Sequence, residues 1–294
     1  MLEPRLRHVT CASPRGLHRL AYWEWLPGGG AERAEASVPT VVCVHGLTRS
    51  GRDFDALATR LSERWRVVCP DMIGRGRSDR VADPHLYAPP QYLADCVTLI
   101  ARLNVERVAW VGTSMGGLIG MLLAALPGTP IHRLVLNDIG PVLDDEGIRR
   151  IAAYVGQDPV FATEAEGVAA MRETMRNFGP HSDDQFRLLT RHHLVRRQQG
   201  GWGFHYDPAI AVPFREQRAG APPDLWPQYD AIVCPTLLTR GAQSDVLSAA
   251  TAQQMTRRGP RARCVEFDGV GHAPTFIATD QIDAVERFLS GEFS

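Results

Sequence analysis

The chain of 294 residues contains no lysine, so all 32 of its strongly basic side chains are arginines. Without lysine there is no side-chain amine to form a Schiff base with a carbonyl substrate or with pyridoxal phosphate. A P-loop also depends on a lysine that reaches the nucleotide phosphates. The sequence therefore excludes both kinds of chemistry.

A large excess of charge and a long apolar run are also missing. The formal net charge is −1 at pH 7, which gives no indication of a nucleic-acid or anionic-membrane partner. No run is apolar enough to span a bilayer, and residues 1–20 lack the apolar segment of a signal peptide. The six cysteines are scattered without a C-x-x-C pair, so we expect reduced thiols in a cytoplasmic protein.

Recognisable cofactor motifs are absent as well. The sequence has no H-E-x-x-H, no zinc spacing of cysteines and no dinucleotide fingerprint with its acidic partner. It therefore predicts neither a metal nor an organic cofactor, and a small molecule is the expected partner.

Short apolar runs alternate with helical patterns along most of the chain. This alternation is typical of an α/β fold with a mostly parallel central sheet flanked by helices. The predicted strands cover residues 18–26, 39–44, 65–70, 107–111, 134–136, 235–239 and 263–267. The predicted helices between and after them cover residues 53–61, 92–103, 118–126, 249–257 and 280–289.

The alternation stops between residues 141 and 230. This stretch has helical patterns at 148–155, 164–178 and 183–195 and no strand-like run between them. We therefore predict an α/β core of residues 1–140 and 231–294, interrupted by a helical cap of residues 141–230.

A serine in a glycine-rich turn joins the predicted strand at 107–111 to the predicted helix at 118–126. The segment Gly112-Thr113-Ser114-Met115-Gly116 fits the pattern G-x-S-x-G. Between a strand and a helix this pattern indicates a sharp, strained turn that exposes the serine hydroxyl above the sheet. The glycines leave room for the turn, and the helix N-terminus favours a developing oxyanion. Ser114 is therefore the candidate nucleophile.

A serine nucleophile needs a base and a carboxylate that orients the base. His272 follows a predicted strand in a glycine-flanked turn, which makes it the best placed of the ten histidines. Asp245 also follows a strand, and the order Ser114, Asp245, His272 is the usual one for a serine in such a turn. Asp138 follows the predicted strand at 134–136 and is the rival candidate for the orienting carboxylate. We predict Asp245 as the orienting carboxylate.

Together these segments resemble the α/β-hydrolase fold family, in particular serine-nucleophile members with a helical cap between core strands six and seven. The resemblance extends over residues 38–289. It is carried by His45-Gly46-Leu47, residues 71–78, the serine turn, residues 241–245 and Gly271-His272.

The resemblance implies a role for each matching residue. Ser114 would be the nucleophile, His272 the base and Asp245 its partner. The backbone N–H groups of Leu47 and Met115 would form the oxyanion hole, and His45 would brace the adjacent loop through a hydrogen bond.

The identity of the nucleophile favours acyl transfer. Haloalkane dehalogenases and epoxide hydrolases resemble this chain but have aspartate where it has Ser114. The expected reaction is hydrolysis of a small or medium carboxylic ester through an acyl-enzyme, with a lactone or an oligomeric hydroxyalkanoate ester as the next choices. Carbon–carbon bond hydrolysis on the same triad and a ligand receptor on a hydrolase scaffold stay open. Many relatives have histidine where this chain has Thr113, which weakens the transfer of any one subfamily's substrate.

The cap contains both aromatic and arginine side chains that are candidates for substrate binding. Trp202, Phe204 and Arg191 are the specific candidates, and a cluster of cap arginines beside Ser114 would favour carbon–carbon hydrolysis. The full sets are Phe161, Phe178, Trp202, Phe204, Tyr206, Phe214 and Trp226, and Arg191, Arg196, Arg197 and Arg215. A monomer and a homodimer are both compatible with the sequence.

Overall fold

The computed structural model of the chain describes residues 3–27, 38–218 and 224–292. Strands and helices alternate along most of these ranges, as the apolar pattern predicts. In chain order the strands are β1 Arg5–Ser13, β2 Gly16–Trp25, β3 Thr40–Val44, β4 Arg66–Asp71, β5 Val108–Thr113, β6 Ile131–Asn137, β7 Leu194–Arg196, β8 Trp202–Phe204, β9 Thr236–Gly241 and β10 Arg263–Phe267. The helices are α1 Asp55–Leu61, α2 Pro89–Leu103, α3 Met115–Ala124, α4 Asp145–Tyr154, α5 Glu164–Thr174, α6 Asp183–Thr190, α7 Ala211–Arg218, α8 Trp226–Asp230, α9 Ala249–Met255 and α10 Thr279–Leu289.

Within the described residues, the main sheet has eight strands in the order β1-β2-β4-β3-β5-β6-β9-β10. Within this sheet the neighbouring strands pair in parallel along the series β4, β3, β5, β6, β9 and β10. Strand β2 runs antiparallel to both β1 and β4. The predicted α/β class with a mostly parallel sheet is confirmed. The edge strand β1 was not predicted.

The central strands of the sheet are buried on both faces, which explains their continuous apolar runs. All of β3 is buried, and its side chains alternate between two apolar layers. Val42 and Val44 belong to the layer that contains residues of α2 and α3. Val41 and Cys43 belong to the layer that contains residues of α1 and α10. Two helical layers therefore hold the sheet between them.

Between β6 and β9 the described chain forms α4 to α8 and a short hairpin of β7 and β8. The prediction of helices alone was wrong here, because the predicted helix at 183–195 ends at Thr190 and is followed by β7. Strands of three residues carry too little alternation to be recognised in a sequence. The division into core and cap remains a prediction.

Two further sequence expectations concern cysteines and membrane spans. The six cysteines all lie in the described ranges, and each is a free thiol. In those same ranges no helix combines the length and the apolarity that crossing a bilayer requires.

Candidate active site

Ser114 lies at the junction of β5 and α3, in the sharp turn that its glycines predict. Its backbone has φ 51° and ψ −116°, a strained conformation for a residue with a side chain. The Ser114 N–H donates to the Asn137 carbonyl at 3.0 Å. A Cβ on Gly116 would overlap the Val44 carbonyl oxygen, so α3 approaches β3 at backbone distance. Trp110 Nε1 also donates to the Gly116 carbonyl at 3.0 Å, which helps to hold the turn.

His272 lies in the loop between β10 and α10, and its Nε2 is 2.9 Å from Ser114 Oγ. The ring is buried, with 6% of the residue exposed. The preceding Gly271 donates its N–H to the Asn177 carbonyl at 2.6 Å. The contact between His272 and Ser114 is the one a general base and its nucleophile require.

Asp138 occupies the other side of the imidazole. Its Oδ2 lies 2.8 Å from His272 Nδ1. The same oxygen accepts from Ser244 Oγ at 2.5 Å, and Oδ1 accepts from the Gly241 N–H at 2.8 Å. Asp138 is fully buried, and three donors converge on its carboxylate in a way that suits an anion. The described geometry is therefore Asp138–His272–Ser114.

The predicted contact between Asp245 and His272 is not found, and this expectation is corrected. Asp245 lies four residues beyond the end of β9, and its carboxylate points to α4, where Arg150 donates to both oxygens at 2.5 and 2.8 Å. Burial acts to raise the pKa of Asp245, but the hydrogen bonds and charge of Arg150 outweigh it and lower that pKa. Asp138 contacts His272 instead, because it directly follows β6 and its side chain there reaches the end of β9 and the histidine loop.

The two predicted oxyanion donors lie beside the serine. Met115 is the first residue of α3, so its N–H has no partner inside the helix. Leu47 follows β3 and lines the same cavity as Ser114. Arg75 Nε donates to the Leu47 carbonyl at 2.8 Å, which fixes the orientation of that loop.

His45 braces this loop, as expected. Its Nε2 accepts from the Met72 N–H at 2.9 Å, so Nδ1 carries the proton and donates to the Gly46 carbonyl at 2.7 Å. Complete burial lowers the pKa of His45 to about 3 and keeps the ring neutral. A ring with both nitrogens occupied is not available as the base.

Asn137 is a site residue that the sequence did not indicate. Its amide nitrogen donates to Thr113 Oγ1 at 3.0 Å and to the Pro274 carbonyl at 2.8 Å. Its amide oxygen accepts from Thr239 Oγ1 at 2.8 Å. Asn137 thus connects the serine turn to the loop that carries His272. Only its place at the end of a predicted strand, directly before Asp138, could have drawn attention to it.

A cavity of about 650 Å³, its open mouth included, lies over Ser114 and His272. Its lining comes from the loop after β3, the serine turn, the loop that carries His272, α4, the segment after α5, and α6. Most lining side chains are apolar, as is usual for small-molecule sites. The residues around it are Gly46, Leu47, Thr48, Arg49, Asp53, Phe54, Thr113, Ser114, Ile151, Tyr154, Met175, Phe178, Leu189, His272, Ala273, Pro274, Thr275 and Phe276.

The substrate-binding candidates Trp202, Phe204 and Arg191 are not among these lining residues, and that expectation is corrected. Phe204 stacks on Tyr206 inside the insertion, and Trp202 belongs to a short hairpin strand. Arg191 is paired with Asp55 at 2.7 Å. In the described part of the chain no cap arginine lines the cavity, and of the predicted aromatic set Phe178 alone does.

Groups that could hold a metal ion lie outside the cavity lining. In the described ranges the one such cluster is Cys11, His18 and Asp95, all buried. Asp95 Oδ1 is already 3.0 Å from His18 Nε2 and 2.8 Å from Gln91 Nε2.

Comparisons with known proteins agree with this architecture. Residues 39–278 match the family model of the alpha/beta hydrolase fold. The chain is similar to a 3-hydroxybutyrate-oligomer hydrolase of Cupriavidus necator, with 48% identity over 98% of this chain and 99% of that protein. It is also similar to an esterase of Mycobacterium tuberculosis, with 27% identity over 89% of this chain and 85% of that protein.

A solved structure shows the same fold over the whole length. The crystal structure of an alpha/beta hydrolase from Novosphingobium aromaticivorans superposes with a TM-score of 0.87. The two sequences are 40% identical, and the match covers 99% of each chain.

Proposed function

Because this chain belongs to the α/β-hydrolase fold family, we propose that it is an ester hydrolase in which Ser114, His272 and Asp138 form the catalytic triad. The observation that carries this proposal is the continuous hydrogen-bonded path from Asp138 to His272 at 2.8 Å and from His272 to Ser114 at 2.9 Å. A serine, a base and an orienting carboxylate in this geometry are the parts that acyl transfer needs.

The reaction begins with attack of Ser114 Oγ on the ester carbonyl carbon, while His272 Nε2 takes the hydroxyl proton. The tetrahedral intermediate collapses as His272 returns the proton to the departing alcohol oxygen. Water then attacks the acyl-enzyme with His272 again as base, which releases the acid and restores Ser114. Asp138 holds the Nδ1–H tautomer of His272 and stabilises the imidazolium that forms.

The charge that develops on the carbonyl oxygen needs donors already in place. The N–H groups of Leu47 and Met115 are our candidates, because Met115 begins the helix directly after Ser114 and Leu47 lines the same cavity as Ser114. Loss of one such donor costs on the order of 3 kcal/mol of transition-state stabilisation. Backbone donors suit this task because side-chain substitutions do not remove them.

For the substrate, we propose linear esters of 3-hydroxybutyrate or of similar short hydroxy acids. The support is the 48% identity, over nearly the full length of both proteins, to the 3-hydroxybutyrate-oligomer hydrolase of Cupriavidus necator. The largely apolar cavity fits short alkyl chains. Carbon–carbon hydrolysis lacks the cluster of cap arginines at the described cavity that would favour it.

We also propose that residues 141–230 act as the cap over a core of residues 1–140 and 231–294. The support is that five residues of this insertion line the cavity over Ser114, namely Ile151, Tyr154, Met175, Phe178 and Leu189. A cytoplasmic location is part of the proposal and is supported by the free thiols of the six cysteines.

The test is hydrolysis of p-nitrophenyl esters of increasing acyl length and of the linear 3-hydroxybutyrate trimer by the wild type and by Ser114→Ala. The wild type should hydrolyse both kinds of ester. The variant should lose on the order of 10⁵-fold or more in kcat, with an unchanged circular dichroism spectrum and unfolding midpoint. Wild-type activity in Ser114→Ala would exclude Ser114 as nucleophile, and a wild type inactive on every ester would overturn ester hydrolysis.

A further inference from the structure

Arg49, which lies in the core loop after β3, carries the positive charge of the cavity. Among the described residues that line the cavity, it is the one arginine, and Asp53 is the one carboxylate. With 12% of its side chain exposed, Arg49 is largely enclosed. An enclosed guanidinium beside a nucleophile is suited to bind an anionic group of a substrate.

The donors of Arg49 are used unequally. Nε and Nη2 donate to the two oxygens of Asp53 at 2.8 and 2.7 Å, and Nη2 also donates to the Leu189 carbonyl at 2.8 Å. In the part of the chain that the structure describes, the acceptor for Nη1 is the Met175 sulfur at 3.4 Å. A thioether is a weak acceptor. A carboxylate oxygen would therefore be a much better partner for Nη1.

Asp53 does not compete for this role, because its oxygens are already occupied. Oδ2 accepts from Arg49, and Oδ1 accepts from Arg49 and lies 2.7 Å from His193 Nε2. Asp53 thus fixes the guanidinium in one orientation. A binding group that is held in advance loses little freedom when the ligand arrives.

Arg49 is also close to the reacting centre. A point beside Gly46, where a Cβ would be, lies 3.8 Å from both Arg49 Cγ and Ser114 Cβ. Arg49 Cγ and Ser114 Cβ are therefore no more than about 8 Å apart. A carboxylate bound to Arg49 can be only a few bonds from the ester that Ser114 attacks.

Building on the ester hydrolysis proposed above, we infer that Arg49 binds the free carboxylate of the leaving hydroxy acid. In a linear hydroxy-acid oligomer the sole carboxylate lies on the alcohol side of every ester bond. In the last ester bond of a 3-hydroxybutyrate oligomer, two carbons separate the ester oxygen from that carboxylate. The enzyme therefore removes monomers from the carboxyl end of the oligomer.

The chemical step is the one already described, with a defined leaving group. The bond between the acyl carbon and the last ester oxygen breaks, and a bond from that carbon to Ser114 Oγ forms. The serine proton passes through His272 to the departing oxygen, so the first product is free 3-hydroxybutyrate. Water then releases the shortened oligomer from Ser114.

The first experiment uses the wild type and a 3-hydroxybutyrate trimer that is acetylated at its hydroxyl end. Cleavage at the carboxyl end releases 3-hydroxybutyrate and the acetylated dimer, which mass spectrometry of the earliest products should detect. The methyl ester of the same trimer should be hydrolysed about tenfold to 100-fold less efficiently in kcat/KM, because it lacks the charge. Acetylated monomer as the first product, or equal kcat/KM for the two trimers, would overturn the inference.

Variants of Arg49 test whether this residue causes the preference for the free acid over the methyl ester. The ratio of kcat/KM for the free acid to that for the methyl ester should fall close to one in Arg49→Gln and be partly retained in Arg49→Lys. The ratio compares two substrates of one protein, so a general loss of activity cancels. A wild-type ratio in Arg49→Gln would contradict the assignment, and the wild-type measurements decide the question if that variant fails to fold.

Arg150→Gln is the matched control, because it breaks another arginine–aspartate pair, between α4 and the loop after β9, outside the cavity lining. It should keep the wild-type ratio, and a fall equal to that of Arg49→Gln would remove the case for Arg49. Hydrolysis of p-nitrophenyl esters without any hydrolysis of the trimers would overturn the carboxylate site and leave the triad proposal intact.

Discussion

Asp138 lies where three parts of the chain meet. It follows β6 directly, it accepts the Gly241 N–H at the end of β9, and it contacts His272 in the loop after β10. Its backbone adopts the left-handed conformation with φ 55°. That turn directs the carboxylate across the top of β9, and Ser244 Oγ completes its set of donors.

Substitution by asparagine should affect kcat strongly at Asp138 and weakly at Asp245. Asp138→Asn should lower kcat on the order of 10⁴-fold, because an amide at this place no longer stabilises the imidazolium or the correct tautomer of His272. Asp245→Asn removes a partly exposed pair with Arg150 and should change kcat by less than about tenfold. Steady-state kinetics on one p-nitrophenyl ester would measure both.

Circular dichroism of the two variants is the control for this comparison, since both should keep the wild-type spectrum. A larger loss of kcat in Asp245→Asn than in Asp138→Asn would return the orienting role to Asp245.

At the scale of elements, the turn between β5 and α3 depends on close backbone approach. A Cβ on Gly112 would overlap the Gly116 carbonyl, and a Cβ on Gly116 would overlap the carbonyl of Val44 in β3. Neither neighbour is a flexible side chain that could move aside. The glycines of G-x-S-x-G are thus required by packing as well as by the conformation of the serine.

Gly116→Ala should therefore destabilise the fold by at least about 2 kcal/mol, because the new methyl group collides with backbone that belongs to the central sheet. Urea unfolding would measure the loss. Gly46→Ala is the matched control for stability, since the nearest atoms to its Cβ are 3.8 Å away, and it should stay within about 0.5 kcal/mol of the wild type. Equal stability of the two variants would show that α3 can move away from β3.

The insertion between β6 and β9 contacts the core through specific polar groups. Arg150 of α4 pairs with Asp245, and Arg191 at the end of α6 pairs with Asp55 of α1. Arg49 donates in the other direction, from the core to the Leu189 carbonyl of α6. Arg150 and Arg191 of the insertion thus attach it to the core, whereas the arginine that lines the described cavity, Arg49, belongs to the core.

At the scale of the whole molecule, fully and partly buried histidines should make the fold sensitive to acid. Burial lowers the pKa of His45 from its ordinary 6.5 to about 3, and it lowers those of His192 and His205 to about 4. Below pH 6.5 the unfolded chain therefore binds protons that the folded chain excludes, and stability falls as the pH falls. Asp71 acts in the opposite direction, because burial raises its pKa from 3.8 to about 6.

The free energy of unfolding should accordingly be lower at pH 5 than at pH 7. His45 alone accounts for a loss of roughly 2 kcal/mol, and Asp71 offsets roughly 1 kcal/mol of it. Urea unfolding at the two pH values would measure the difference. His45→Gln, which does not titrate, should show a smaller decrease, and an equal or higher stability of the wild type at pH 5 would contradict the prediction.

The parallel sheet, the serine turn and the histidine loop could be predicted from the sequence, because each has a local signature. Apolar runs of strand length indicate the buried strands. The glycines that the serine turn requires lie within a few residues of Ser114. His272 can be recognised in the same local way, because it follows a predicted strand in the sequence. These features depend on neighbours in the chain, so a single sequence is enough to predict them.

Only the folded structure shows which aspartate contacts His272 and which arginine lines the cavity. Asp138 and Asp245 both follow parallel strands, and their roles differ because one reaches across β9 while the other turns toward Arg150 in α4. Arg49 and Arg191 have the same chemistry, yet one lines the cavity and the other pairs with Asp55 on α1. These contacts depend on the positions of loops that are far apart in the chain. A local sequence pattern carries no information about the distance between such loops.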